Sequence, residues 1–409
     1  MTTLICLIGI AVILLFAFAV SNNRRAINRR TVGWAFAIQF LIGAFALYIP
    51  QGKSILNAIS SGVSSVIGYA DAGIQFLFGN LSGGSVGFVF AVNVLPVIIF
   101  FSALISVLYY LKVMDWVIRI IGGGMQRLLS TSRAESMSAA ANIFVSQTEA
   151  PVVIRPYLAS MSKSEIFAVM VGGMATVAGS VLAGYVGLGV ELKYLLAASF
   201  MAAPGGFLMA KLLVPETERI DESKRIVESH KDHYCNIFDA AAGGASNGLK
   251  LAVNIGAMLL AFISLIALLN GLIGWLSGLL GGNPITLQEI IGQCFRPIAF
   301  ILGVPWSETN TAGSLIGQKL VFNEFIAFVD YADVKNQLSA HSQAVVTFAL
   351  CGFANFSSIA ILLGGLGTMA PNRRTDIARL GLRAVMAAFL ANLMSAAIAG
   401  FFLSLGSGF

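Results

Sequence analysis

Charge is scarce in this chain. Lys, Arg, Asp and Glu make up 11% of 409 residues, less than half of the roughly 25% of a soluble domain. With 57% of its residues hydrophobic, the chain could not cover its core in water with so few charges. A soluble enzyme is excluded, and so is a disordered polymer. Cysteine is equally thin: Cys6, Cys235, Cys294 and Cys351 lie far apart with no CxxC spacing, so neither a disulfide framework nor a zinc site follows. Of three histidines, His230 and His233 fall in the HKDH run of a charged segment, and His341 sits in a short loop with no visible partner. A membrane enzyme would need a nucleophile with a base, or a metal cluster, at one depth, and none is apparent. The net charge is +6, but the basic residues form no dense patch of the kind phosphate binding needs, so nucleic acid is not an expected partner.

What the chain has is long apolar runs. About 20 helical residues cross the roughly 30 Å of hydrocarbon in a lipid bilayer. Eight runs qualify: Leu4 to Val20, Thr31 to Ile49, Gly87 to Leu111, Ile166 to Val190, Tyr194 to Val214, Leu249 to Leu280, Ala344 to Met369 and Val385 to Leu405. The first lacks the charged leader of a signal peptide and is followed by RRAINRR, so it is kept as a span. Basic residues cluster after spans one (Arg24, Arg25, Arg29, Arg30), three (Lys112, Arg119, Arg127, Arg133), five (Lys211, Arg219, Lys224, Arg225, Lys231) and seven (Arg373, Arg374, Arg379, Arg383). Together these hold 17 of the 25 lysines and arginines. The stretch from Pro50 to Val86 holds only Lys53. The positive-inside rule then predicts a multi-pass topology with both termini outside. Spaced apolar residues Ile55, Ile59, Val63 and Ile67 predict an amphipathic interfacial or packed external helix within Gln51 to Asn80, and Glu216 to Asp232 reads as a cytoplasmic loop.

Two regions fit neither span nor loop. Val113 to Ser164 contains AAANIFVSQTEAPVVIRP, and Pro284 to Leu320 contains QCFRPIAFILGVPWSETNTAGSLIG. In each, apolar pieces of about ten residues, half a bilayer crossing, flank a polar centre (QTEAP or WSET). The expectation is two re-entrant hairpins whose tips lie near the midplane. SEIFAVM and GGMATVAGSVLAG follow the first; NEFIAFV, a polar insert from Asp330 to Ser342, and CGFANFSSIAILLGG follow the second. Gly173-Met-Ala-Thr176 matches Gly352-Phe-Ala-Asn355 in pattern. One hairpin starts inside and the other outside, so the repeats are inverted, the architecture of a secondary transporter with its site where the repeats meet. The predicted class is an all-α membrane protein with eight transmembrane helices, two hairpins and an interfacial helix. Its divisions are residues 1–112, 113–215 (first repeat), 216–283 (loop and span six) and 284–409 (second repeat).

Glu149 and Glu324 fall at membrane depth, where a charge costs about 2.5 to 3.5 kcal/mol and needs a cavity and a partner. They are candidates for ligand contact, or for ion pairs with Arg155 or Arg296. Asn142, Thr148 and Thr176 offer neutral oxygens beside glycine and proline, as a hard cation such as Na⁺ requires. Asn355, Ser357 and Ser358 form the matching group in the second repeat, with Phe353 able to stack on a planar ring.

SRAESMSAAANIFVSQTEAP, FMAAPGG, DAAAGGAS, GVPWSET, NEF and CGFANFSSIAILLGGLG resemble the concentrative nucleoside transporter family, its bacterial sodium-coupled members in particular, in order and over essentially the whole chain. The resemblance implies a homotrimer in which spans one, two, three and six are a scaffold and the repeats move as an elevator. It implies that Gln147, Thr148 and Glu149 read the nucleobase, that Glu324, Asn355 and Ser358 contact ribose, and that Phe353, Val181 and Leu251 supply apolar contacts. It also implies a sodium site from Asn142, Thr148 and Thr176 with the carbonyls of Val145 and Val177. Thr176 stands where Ser is usual, keeping the hydroxyl, and Phe356 where Leu or Ile is usual. No organic cofactor is expected. The expected substrate is a uridine-like, pyrimidine-preferred nucleoside. The expected drive is Na⁺, because neither Asn142 nor Thr148 takes up a proton; the alternative is proton coupling through Glu149 or Glu324.

Overall fold

The computed structural model describes residues 2–82, 88–218, 234–279 and 284–406. The charged segment expected as a loop therefore lies, from 219 on, outside the described residues, as do the first residue of the predicted third span and the last of the sixth. Among the described residues the regular structure is entirely helical.

Four apolar elements form the periphery: α1 (Thr2–Ala19), α2 (Arg29–Leu47), the pair α5 (Phe90–Asn93) and α6 (Leu95–Tyr110), and the long α13 (Ile237–Leu279). Their most apolar stretches are 28, 33, 28 and 17% buried. Side chains such as Leu15, Leu41, Leu260 and Trp275 are left facing outward, as lipid-facing residues of a membrane helix do. Between α2 and α5 the expected amphipathic helix is two, α3 (Pro50–Gly68) and α4 (Ala70–Phe78), with Ile55 and Ile59 exposed. At about 1.5 Å per residue the 43-residue α13 is about 64 Å long, twice a bilayer crossing. Its first turns, read from sequence as lying before the span, are helical because Gly244 and Gly248 let it close onto α6: a Cβ at either would stand 2.7–2.8 Å from the Ala103 or Ile99 backbone.

The repeats fill the interior. The first runs α7 (Val113–Leu129), α8 (Arg133–Ala141), a non-helical tip, a 3₁₀ turn over Ala150–Ile154, α9 (Arg155–Leu158), α10 (Lys163–Ala175), α11 (Gly179–Gly187) and α12 (Leu192–Leu213). The second runs α14 (Leu287–Ile301), α15 (Thr309–Val321), α16 (Glu324–Val334), α17 (Ala340–Leu350), α18 (Ser357–Met369) and α19 (Arg374–Gly406). The spans containing α10–α11, α12 and α19 are each 89% buried. Capping boxes at Ser132/Glu135, Ser162/Glu165 and Thr286/Glu289 start α8, α10 and α14. Two spans are broken in the middle: α10 gives way to α11 across 176–178, and α17 to α18 across 351–356.

Three expectations are corrected. Val113 to Leu129 is not a hairpin arm but a separate amphipathic helix. It is bounded by Lys112 and Ser130 at positive φ (61° and 54°) and packs through Met114, Ile118 and Met125. WSET is not a buried tip: Pro305 to Ser307 form an exposed turn joining α14 to α15, with Trp306 57% exposed under the Arg296 guanidinium at 4.4 Å. The polar interruption that reaches the interior is Phe322–Asn323, between α15 and α16, and the polar insert from Asp330 remains helical to Val334. Lys211, counted from sequence among the basic residues of the cytoplasmic stretch at the end of span five, is 6% exposed and ion-pairs with buried Glu135 while donating to Ser164 Oγ at 3.0 Å, which joins α8, α10 and α12.

Candidate functional site

The two breaks meet. Phe353 N–H donates to the Thr176 carbonyl at 3.2 Å, so the matched motifs of the two repeats touch. The match is loose in register, since Gly173 is still inside α10 whereas Gly352 lies beyond α17. Each break frees carbonyls at the C-terminal end of a half-helix, where partial negative charge accumulates. The first hairpin's tip closes on the same place, with Gly179 N–H donating to the Phe144 carbonyl at 2.9 Å.

Glu324 is the first residue of α16, and Asn323 caps that helix by accepting from Ile326 N–H at 2.9 Å. The NEF motif thus sets a carboxylate at the positive end of a helix dipole, one way a charge survives at 4% exposure. One Glu324 oxygen accepts from the Tyr185 hydroxyl (3.1 Å) and the other from Asn355 Nδ2 (3.0 Å). Asn355 Oδ1 accepts from Ser358 N–H at 3.0 Å and from the Ser357 hydroxyl at 2.7 Å. Ser358 Oγ donates to the Phe353 carbonyl at 2.6 Å and accepts from Gln147 Nε2 at 3.3 Å. One hydrogen-bonded chain therefore runs Tyr185–Glu324–Asn355–Ser358–Gln147, linking α11, α16, the second break and the first hairpin's tip. The ion-pair alternative for Glu324 does not hold, because Arg296 bonds Gln293 and Thr309 instead.

Beside this chain is Asn142, 1% exposed, whose amide oxygen and nitrogen both lack a protein partner. A Cβ built on Gly172 would stand 3.4 Å from its nitrogen, and one on Gly173 3.7 Å from its oxygen, so the amide lies on the last turn of α10. Thr176 caps that turn, with its hydroxyl donating to the Gly172 carbonyl at 2.9 Å and its oxygen lone pairs left over. Val145 and Val177 are buried at the two adjoining loops. A buried amide, a hydroxyl and loop carbonyls are the neutral oxygens a hard monovalent cation takes. No cluster of three His, Cys, Asp or Glu that might hold a transition metal occurs among the described residues.

The other predicted residues are distributed less tightly. Gln147 is 3% exposed with its Oε1 unpartnered. Glu149 is exposed, its carboxylate accepting from Ser146 N–H (3.0 Å) and Oγ (2.9 Å) within the tip. Thr148 bonds Ser146 Oγ at 3.1 Å and faces α18, where a Cβ on Gly365 would meet its methyl at 2.8 Å. Val181 is buried on α11, Phe353 is half-buried, and Leu251 stands half-buried on the peripheral α13. Phe356 is 49% exposed.

Sequence reasoning missed three residues of this centre. Tyr185 was passed over inside VLAGYVG. Lys319, fully buried, donates to the Ala349 carbonyl (2.7 Å) and to Asn392 Oδ1 (2.6 Å). Asn392, in α19, donates to the carbonyls of Ala175 (2.7 Å) and Cys351 (3.0 Å), one from each break. The available signal was a lone polar or charged side chain inside an apolar run, which is functional by default at that depth.

Fold and centre together define a membrane transporter of the broken-helix, paired-repeat class. Family models agree: "Na+ dependent nucleoside transporter N-terminus" matches residues 8–81, "Nucleoside recognition" 91–191, and "Na+ dependent nucleoside transporter C-terminus" 194–400. Nucleoside permease NupC of Helicobacter pylori is 51% identical, with 99% of each chain covered. Sodium/nucleoside cotransporter 1 of Mus musculus is 41% identical over 97% of this chain and 63% of that protein. Among solved structures, CNTnw in an inward-facing substrate-bound state matches with a TM-score of 0.94 at 54% identity, covering 99% of this chain and 98% of that one. A doubly substituted CNTnw in an outward-facing state matches at 0.97, with 54% identity and 99% of each chain covered. The chain belongs to the concentrative nucleoside transporter family. It is a multi-pass membrane transporter and not an enzyme.

Proposed function

We propose that the protein imports nucleosides, uridine-like pyrimidine nucleosides foremost, by symport with Na⁺. The observation that carries this reading is the buried chain Tyr185–Glu324–Asn355–Ser358–Gln147 lying beside an Asn142 amide with no protein partner. Ribose hydroxyls are donors, and the Glu324 carboxylate is the acceptor pair that suits them, with Asn355 and Ser358 beside it. Gln147, with its free Oε1, and Thr148 and Glu149 across the same tip suit the amide or imide edge of a base. Val181 and Phe353 contribute apolar surface, and Leu251 adds to it from α13. The one buried ammonium at this centre among the described residues, Lys319, is held by the Ala349 carbonyl and Asn392 Oδ1 rather than offered to a ligand, so phosphorylated nucleosides are refused. Sodium is cargo, held by Asn142, Thr148 and Thr176 with the Val145 and Val177 carbonyls.

Both ligands then lie against the same crossing of breaks, so binding of one organises the other's site. A gradient of about tenfold in Na⁺ supplies about 1.4 kcal/mol, and about 100 mV adds roughly 2.3 for one charge. One Na⁺ per nucleoside thus supports accumulation of roughly several hundredfold. Alternating access is of the elevator kind: the buried repeats travel against a scaffold of spans one, two, three and six in an inner-membrane homotrimer with both termini outside. The test is uptake of labelled uridine into proteoliposomes under an imposed Na⁺ or H⁺ gradient. Uptake that follows inward Na⁺ is the expected result; uptake driven by H⁺ alone would remove the ion site and leave the fold and substrate.

A further inference from the structure

Lys319 is fully buried, yet its hydrogen-bond acceptors are neutral: the Ala349 carbonyl and the Asn392 side-chain oxygen, with the Phe389 ring 5.9 Å away. Among the described residues it forms no carboxylate ion pair. A buried ammonium without a carboxylate at contact distance is costly unless its surroundings are built for a cation. Here they are built from the same parts as the sodium site. In the first repeat, the first hairpin arm α8 ends at Asn142, whose amide lies on the last turn of α10 at Gly172 and Gly173. In the second repeat, the equivalent arm α15 carries Lys319 in its last turn, and the ammonium lies on the last turn of α17 at Ala349. The arm, the half-helix end and the exposed carbonyl dipoles correspond. The difference is that one arm delivers a neutral amide and the other a positive charge.

We propose that Lys319 is a tethered cation: in the second repeat it takes the position that a monovalent cation takes in the first, and so holds the carrier to one sodium per cycle. The inference rests on the sodium reading of Asn142. A purely structural role, in which Lys319 only pins α15 to α17 and α19, makes a different prediction for the Gln variant. Lys319→Gln removes the charge and leaves an amide oxygen among the Ala349 and Asn392 oxygens, a neutral donor set in which a second sodium binds. Lys319→Met removes the charge without an oxygen.

The experiment is thermal unfolding of the purified full-length protein across a series of sodium concentrations, with potassium keeping ionic strength constant. Ligand linkage makes the rise in Tm per decade of sodium proportional to the number of ions bound. Wild type gives a one-ion slope, which Asn142→Ala flattens. Lys319→Gln is less stable than wild type in potassium and gives about twice the wild-type slope in sodium. Lys319→Arg keeps the wild-type slope, and Lys319→Met is destabilised without recovery by sodium. A folded Lys319→Gln with the wild-type slope overturns the proposal, and so does a Lys319→Gln that fails to fold in sodium as well as in potassium. A wild type with no sodium slope is a separate result, because it removes the Asn142 site on which the proposal stands.

Discussion

Replacing Glu324 by Gln keeps the side chain's shape and leaves Tyr185 and Asn355 facing an uncharged amide. Each charge-assisted bond is about twice as strong as a neutral one, so uridine uptake is expected to fall by at least about tenfold, or roughly 1.4 kcal/mol. Tyr185→Phe removes one donor to the carboxylate and should give a smaller loss. Both are measured as initial uptake rates normalised to protein shown by gel filtration to be folded. At the ligand's end, 2′- and 3′-deoxyuridine should compete with labelled uridine roughly five- to a hundredfold less well than uridine itself. A missing hydroxyl leaves a buried partner unsatisfied at about 1–3 kcal/mol; equal competition would place ribose elsewhere. Part of this scale was legible because polar residues in apolar surroundings stand out: Asn142, Glu324, Asn355 and Ser358 are marked by the sequence itself, whereas Gln147 was marked by the family resemblance. Partners were not legible. Arg296 was a plausible mate for Glu324, but chain spacing does not reveal that it stacks on Trp306, nor that Tyr185 and Lys319 reach the breaks from other helices.

At the scale of elements, the crossing of the two breaks leaves no room for additional atoms. A Cβ at Gly352 would lie 2.4 Å from Asn392 Oδ1 and 2.7 Å from the Ala175 carbonyl, whereas one at Gly364 meets nothing within 4 Å. Gly352→Ala is therefore expected to lower stability by about 1–3 kcal/mol or more through overpacking. Gly364→Ala should be near neutral, with the difference read as Tm in detergent. The buried Glu135–Lys211 pair ties α8 to α12; Glu135→Gln leaves the ammonium with Ser164 and the longer 4.0 Å contact to Glu216, and should destabilise by about 1–3 kcal/mol in the same assay. The existence of half-length pieces was readable. The second hairpin's polar point was misplaced because WSET and NEF are both polar interruptions after ten or so apolar residues. What separates them is that WSET turns outward beside Arg296 while Asn323 caps a helix pointing inward. The start of α13 was hidden for a related reason: its glycines lower hydropathy yet serve close packing on α6.

At the scale of the molecule, the exposure of α1, α2, α6 and α13 and the burial of the repeats fit a carrier with an outer frame and an inner moving body. The boundary has a specific seam. Gln39 on α2 is fully buried and donates to Ser395 Oγ on α19 at 2.9 Å, so a scaffold that includes span two breaks this bond in each cycle. A disulfide between Gln39→Cys and Ser395→Cys is expected to arrest uptake, with recovery on reduction; undiminished uptake in the oxidised pair would assign α2 to the moving body. The eight spans, the hairpins and the inversion of the repeats were legible at this scale, because hydropathy and the placement of arginines act over whole segments. The meeting of Thr176 with Phe353 was only hinted at by a four-residue match, since contact across repeats is a property of the folded chain. The most direct measurement of the central claim is uridine uptake by proteoliposomes under an inward Na⁺ or an inward H⁺ gradient, with Asn142→Ala and Glu324→Gln alongside. The account predicts uptake that requires Na⁺, shifts to higher sodium demand in Asn142→Ala and collapses in Glu324→Gln. Uptake indifferent to Na⁺, or unaffected by Glu324→Gln in folded protein, would contradict it.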